Sequence, residues 1–394
     1  MRASRIPAVY MRGGTSKGVF FHARDLPADP AARDHILLRV TGSPDPYGKQ
    51  IDGMGAATSS TSKVVLVSPS ARPDCDVEYL FGQVAIDAPL IDWSGNCGNL
   101  TTAVGPFAIS QGLVPAGPDG VRTVRLWQAN LGKRIVAHVP VQDGEVLEAG
   151  DFALDGVAFD AAEIRLEFMD PGGGAAGVLP TGRAVDTLDV PGLGPVQASL
   201  VDAGNPTVIV AAASLGVPAA LAQAQANGDA DFLARCEAVR AAGAVAMGLA
   251  TTAAEATANR PATPKVALVG PPADYVASDG RAVAARDVDL VARMISMGKL
   301  HHALTGTGAV ALAVAAALPG TLVADILGGV ASADRMVRLG HASGVLPVGA
   351  AASTRDGIVT VDKAVLSRTA RRLMEGYVFV PADAVSVGSR EAAA

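Results

Sequence analysis

Cysteine is scarce in this chain of 394 residues: only Cys75, Cys97 and Cys236 occur. An odd count with no C-x-x-C pair supports neither a disulfide framework nor a zinc site, and no metal is expected. There is no basic block, and the net charge is −6, which argues against nucleic acid as a main partner. Long apolar runs are lacking too. The longest, Ala309–Leu318, is half of the ~20 residues that a bilayer span needs, so no membrane association is expected. The opening MRASRIPAVYMRGG lacks the apolar core of a signal peptide and reads as mature sequence. These absences point to a globular protein of a reducing, cytoplasmic compartment. At 49% hydrophobic and 18% charged residues, the chain can build a sizeable core and two or three domains.

What is present concentrates around Trp93-Ser94-Gly95-Asn96-Cys97-Gly98-Asn99, followed by an apolar run. The run from Leu100 to Ala108 predicts a buried helix, which places Cys97 at its N-terminus. Free N–H groups and the helix dipole favour anions and thiolates there. A buried, inert cysteine is the commoner fate of a free thiol. Packing alone, however, does not call for Ser-Gly-Asn before it and Gly-Asn after it.

Around this stretch the pattern predicts strands over Arg5–Tyr10, Gly18–His22, Val64–Val67 and Val77–Ile86, and a helix over Asp34–Val40. A hairpin is expected over Val121–His138, and residues 151–190 read as turns and strands. Further on, strands are expected at Val196–Val201, Val208–Ala212, Val266–Val269, Val345–Val348 and Tyr377–Val380. Helices are expected over Ala219–Leu249 with a break near Asn227-Gly228, over Val288–Ile295, and from Ala309. Gly172–Gly177 matches G-x-G-x-x-G. Pro171 before it and Val178-Leu179-Pro180-Thr181-Gly182 after it are turn chemistry, so it reads as a flexible connection and not a nucleotide site.

The halves echo one another. Each opens with strand, polar turn and strand, and each carries a Gly-rich turn feeding an apolar helix. Cys97-Gly98-Asn99 and Thr305-Gly306-Thr307 correspond. Two such lobes would aim helix N-termini at a shared cleft suited to a small polyanion.

Lys63 follows a hydroxyl loop that includes Thr58, Ser59, Ser60 and Thr61, and it precedes an apolar strand. A surface lysine is the ordinary reading. Half-desolvated, its pKa falls, and it can remove a proton next to a carboxylate-stabilised carbon or anchor a carboxylate. Paired with Cys97, it suggests proton abstraction at one point of a substrate and proton return elsewhere. Arg12, Thr15, Ser16, Lys17, Asn96, Gly98, Asn99, Lys299, Thr305 and Gly306 are candidates to hold carboxylates. Adjacent His301 and His302 on a helix would face different directions, so His341, in the turn with Ser343, is the better site candidate.

These motifs carry a resemblance. The chain resembles the diaminopimelate-epimerase superfold and, within it, the 2-methylaconitate isomerase (PrpF) family. Cys97-Gly98-Asn99 matches the first superfold motif and Gly204-Asn205-Pro206 its turn. Thr305-Gly306-Thr307-Gly308 stands where that fold has Cys-Gly-Thr-Gly. The isomerase branch is matched by Met11–Gly18, Gly42–Pro46, Gln50–Gly53, Thr61–Lys63, Asp92–Asn99 and Gly298–His302, spread over nearly the whole chain.

The resemblance implies an α+β fold of two similar lobes, each a curved, mostly antiparallel sheet around a central helix. The expected lobes are residues 1–188 and 195–394, with the last strand crossing to the first lobe and the active site in the cleft. It further implies cofactor-independent isomerisation of an unsaturated tricarboxylate, most simply 2-methylaconitate on the 2-methylcitrate route of propionate. Lys63 and Cys97 would be the proton-transfer pair, because a Thr305 hydroxyl is too weak an acid to replace a second cysteine. Oxalomesaconate tautomerases and methylitaconate isomerases share the core motifs. A non-enzymatic alternative is an accessory protein for an aconitase-like iron–sulfur enzyme, against which the wide spacing of the cysteines speaks. The assembly is left open, a homodimer among the options.

Overall fold

The structure, a computed structural model, describes residues 4–172, 177–355 and 358–381. The chain opens on a hairpin of β1 (Ser4–Gly13) and β2 (Ser16–His22), turned at Gly14 with φ +49°. Helix α1 (Pro30–Thr41) follows, its first turn closed by the Asp29 carboxylate on the Ala32 amide. Next come β3 (Lys63–Pro69), β4 (Val77–Val84) and β5 (Ile91–Asp92), then helix α2 (Gly98–Ser110). Strands β6 (Gly120–Gln128), β7 (Lys133–Gln142), β8 (Glu145–Val146) and β9 (Ile164–Met169) complete the first half.

The second half starts with β10 (Asp186–Val190), β11 (Gly194–Ala203) and β12 (Asn205–Ala211). Helices α3 (Gln223–Gly228), α4 (Ala230–Ala246) and α5 (Ala253–Asn259) lead to β13 (Lys265–Gly270). A small hairpin of β14 (Tyr275–Val276) and β15 (Ala282–Val283) precedes β16 (Leu290–Ser296) and β17 (Lys299–Leu300). Helices α6 (Gly306–Ala317) and α7 (Leu322–Ile326) are followed by β18 (Val337–His341), β19 (Gly344–Arg355), β20 (Ile358–Arg368) and β21 (Ala370–Val380).

All the described strands except the β14–β15 pair join in one mostly antiparallel hydrogen-bonded sheet, and the fold is α+β. The pairing order repeats. In the first half, β1–β2 is antiparallel, β2–β3 parallel, β3–β4 antiparallel, β4–β6 parallel, and β6–β7 and β7–β9 antiparallel. The series β11–β12, β12–β13, β13–β16, β16–β18, β18–β19 and β19–β20 has the same sequence of senses. Strand β20 also pairs with β9, and β21 with β1, so the end of the chain is hydrogen-bonded to its first half.

Helices α2 and α6 lie inside these sheets. In α2 every residue from Gly98 to Ile109 is buried, and α6 is buried along its whole length. A helix apolar on all sides needs such an enclosure, because no face is fit for water. Both belong to the same core, where Leu100, Val104 and Phe107 of α2 join Val310, Leu312 and Val314 of α6.

The helix expected over Val288–Ile295 is overturned: this segment forms β16. All seven residues of β16 are buried between β13 and β18. A strand covered on both faces loses apolar–polar alternation, so its run imitates a buried helix. Arg293, the one charged residue of this strand, is itself buried, with Nε donating to the Leu221 carbonyl at 2.7 Å. Of the glycine-rich connection Gly172–Gly177, residues 173–176 lie outside the described residues.

Candidate active site

The two central helices begin at the same place. Cys97 is the N-cap of α2, extended at φ −114°, with its Sγ accepting the Leu100 amide at 3.4 Å. Thr305 is the N-cap of α6, its Oγ1 accepting the Gly308 amide at 3.2 Å. Gly98 and Gly306 touch backbone to backbone. A Cβ on Gly98 would lie 2.7 Å from the Gly306 carbonyl carbon, and one on Gly306 would lie 2.6 Å from that of Gly98. Only glycine at both positions lets two positive helix ends meet this closely.

The approach is held by paired amides. The Asn96 amide donates to Asn205 Oδ1 at 2.7 Å, and Asn205 Nδ2 donates to the Asn96 carbonyl at 2.8 Å. The Asn96 side chain accepts from the Cys97 amide, Tyr79 and Thr101. Asn99 bridges Thr15 Oγ1, the Leu304 carbonyl and Arg368 Nε. These bonds fix where Cys97 sits.

Lys63 opens β3, directly opposite Gln83 on β4, and donates from Nζ to Gln83 Oε1. Its Nζ also lies 5.0 Å from the Phe81 ring centre. Burial pushes its ammonium below the ordinary lysine pKa, and the neighbouring Cys97 works in the opposite direction. A lysine in this setting has access to its neutral, basic form.

Lys63, Cys97, Ser16, Asn96, Asn99 and Thr305 all line one small enclosed cavity. Two hydroxyls on its wall, Ser16 Oγ and Thr307 Oγ1, are buried without a hydrogen-bond partner among the described residues. Buried hydroxyls without partners are uncommon and costly, and both belong to the wall of this cavity, whose free volume of about 10 Å³ is that of a single water.

Two larger cavities flank it, of about 580 Å³ and about 920 Å³. Arg12, Thr15, Ser16 and Lys17 line the first, Thr58, Ser59 and Lys299 the second, and Ser60 and Thr61 both. Arg12 is engaged by the Gly14 and Thr369 carbonyls, and the Lys17 ammonium stands 5.5 Å from the Tyr10 ring centre. Gly98 and Gly306 serve as the backbone contact. His341 and Ser343 are on the wall of none of the three cavities. The His341 ring accepts the Ser343 amide at 3.2 Å, and the Ser343 hydroxyl donates to the His302 carbonyl. Burial and neighbouring arginines hold His341 down at about 3.

Several groups on the central wall are not among the sequence candidates: Gln83, Lys265 and Ser296, together with Asn205 and Thr307 of the matched motifs and His301, which the sequence reading sets aside. His301 and His302 lie in the turn after β17 rather than on a helix, and their rings stack 4.6 Å apart. Burial, His302 and the two lysines keep His301 uncharged, and its Nδ1 accepts the Ala303 amide. Lys265 carried a readable signal. Pro264-Lys265-Val266-Ala267-Leu268-Val269 repeats the pattern of Ser62-Lys63-Val64-Val65-Leu66-Val67. Among the described residues, no group of three or more His, Cys, Asp or Glu is placed to bind a metal, and no helix is long and apolar enough to cross a membrane.

Two similar halves with helix N-termini converging on an enclosed site define the fold class of the racemases and epimerases. A probable proline racemase of Agrobacterium radiobacter K84 shares the fold at 14% identity and TM-score 0.55, over 96% of this chain and 93% of that one. The chain belongs to the PrpF family, whose profile, described as PrpF protein, matches residues 3–381. It is 58% identical to a 2-methyl-aconitate isomerase of Cupriavidus necator, over 96% of this chain and 98% of that one. The crystal structure of a methylitaconate-delta-isomerase superposes with TM-score 0.76 at 41% identity, covering 98% of each chain.

Proposed function

We propose that this protein is a cofactor-independent isomerase of an unsaturated tricarboxylate, 2-methylaconitate, with Lys63 and Cys97 as its proton-transfer groups. The observation that carries this reading is their shared cavity, walled also by the unpartnered hydroxyls of Ser16 and Thr307. The 58% identity to an enzyme named for that substrate supports the choice. Methylitaconate stands second, on the 41% relative.

The neutral Lys63 amine takes a proton from the carbon next to the double bond and its carboxylate. The electron pair left behind delocalises through the double bond into the carboxylate as a dienolate. Loss of double-bond character permits rotation, and a proton returned by the Lys63 ammonium or the Cys97 thiol completes the isomer. One proton leaves and one returns, so no electron acceptor enters the balance. The Ser16 and Thr307 hydroxyls and the two helix N-termini supply fixed donors for the developing charge, which cost no reorganisation as it forms. In the cell this activity belongs to propionate breakdown through 2-methylcitrate, in the cytoplasm, beside an aconitase-like enzyme acting on the same tricarboxylates.

The test is wash-in of solvent deuterium during turnover of 2-methylaconitate, with trans-aconitate, methylitaconate and oxalomesaconate as comparison substrates. Lys63→Ala should abolish the exchange, and Cys97→Ser should slow it severely. Full exchange in the lysine variant rules the mechanism out.

A further inference from the structure

The repeated strand order gives Lys63 a counterpart. Lys63 opens β3, which runs parallel to β2 and antiparallel to β4. Lys265 opens β13, which runs parallel to β12 and antiparallel to β16. Lys63 reaches across to Gln83 on its antiparallel neighbour, and Lys265 reaches across to Ser296 on its own. Both ammonium groups arrive at the same cavity. Cys97 and Thr305 correspond in the same way, as N-caps of α2 and α6.

We propose that Lys265 is the second cationic group of the substrate site, binding a substrate carboxylate from the half of the fold opposite Lys63 and Cys97. This inference rests on the isomerase reading and adds a residue that touches substrate. The ammonium has three donors. Two are used, on the Ala262 carbonyl and on Ser296 Oγ, each at 3.1 Å. The third has no partner among the described residues, and the side chain stands on the cavity wall.

The charged and titratable groups that act on it include Lys63 from β3, Cys97 at the start of α2, Asp92 from β5, Arg240 from α4, and His301 from the turn after β17. Among the described residues, no carboxylate bonds to the Lys265 ammonium. Asp92, the acidic group that acts on it, spends its oxygens on the Ser94 and Ala262 amides. Burial and the Lys63 charge bring Lys265 down to about 8, which leaves it mostly charged at neutral pH. A ligand carboxylate would complete its donor set. The roles then divide: the lysine of the first half works as base, and that of the second half holds charge.

Binding of trans-aconitate at pH 7, measured by calorimetry, tests the assignment. Lys265→Met and Lys265→Gln should each bind about 30-fold more weakly than the wild-type protein, the scale expected when one partner of a desolvated charge pair is lost. Thermal unfolding of each free variant shows whether it is folded. Proton uptake supplies a second reading. At pH 8.5 the wild-type complex should take up a proton, seen as a binding enthalpy that varies with the ionisation enthalpy of the buffer, and the folded Lys265→Met variant, which keeps Lys63, should take up less. Folded variants with wild-type affinity, or with proton uptake equal to that of the wild type, overturn the role of Lys265 and leave the isomerase reading standing. A wild-type protein with no affinity for any tricarboxylate overturns both.

Discussion

Gly98 and Gly306 meet backbone to backbone, so that each lies where the other's Cβ would have to be. Their contact joins the N-termini of α2 and α6 and sets the distance between Cys97 and Thr305 across the site. Gly98→Ala must push the two helices apart, because the opposing atoms are main chain and not a side chain that can swing away. Overpacking of this kind costs about 1–3 kcal/mol. Thermal or urea unfolding should show the loss, and turnover should fall with it. A variant with unchanged stability and activity would mean that the helix ends are free to separate.

Lys63 acts as a base only when neutral. Burial holds its ammonium below the ordinary value of 10.5, so kcat/KM should rise with pH through that lowered pKa and decline below it. The acid limb of the exchange-rate profile is expected at lower pH than a solvated lysine would give. A limb at the ordinary lysine value contradicts the desolvated base.

The hydroxyls of Ser16 and Thr307 separate binding from folding. Neither has a partner to lose among the described residues. Ser16→Ala and Thr307→Val should therefore leave stability unchanged or raise it by up to about 1 kcal/mol. KM should rise by roughly tenfold in each if a substrate oxygen is their partner, since one net hydrogen bond is worth about that much. Destabilisation with an unchanged KM would assign them to the fold instead.

Lys265 makes a statement about pH and stability that needs no substrate. Its pKa is about 8 in the folded protein, against 10.5 ordinarily. Between those values the unfolded chain binds a proton that the folded chain has released, so stability rises with pH across the window. The wild type should gain about 3 kcal/mol relative to Lys265→Met between pH 8 and pH 10.5. Denaturant titrations at the two ends measure the difference, and parallel pH curves would place this ammonium in contact with water.

Much of this molecule was legible in local pattern. The apolar run behind Cys97 and the glycine turn before Ala309 read as the buried helices that α2 and α6 are, because enclosure demands apolar residues on every side. The α+β class was legible through motifs spread along the chain. Strand β16 was not, since a strand buried on both faces carries no alternation. The histidines were placed by contacts that no local pattern records. His341 stands in a conspicuous glycine turn yet spends its ring on the Ser343 amide, while His301, beside an identical neighbour, stands on the central cavity wall.

By itself, the sequence determined which residues have unusual company: Cys97 among glycines and asparagines, and Lys63 between hydroxyls and a strand. Such company is local, and local backbone chemistry is written in neighbouring residues. Only the tertiary structure decided which of them meet. Gln83 reaches Lys63 through the β3–β4 register, Asn205 reaches Asn96 across 109 residues, and Lys265 reaches the same cavity because the strand order repeats. Pairing across a sheet depends on register and burial summed over the whole chain, and no single stretch records it.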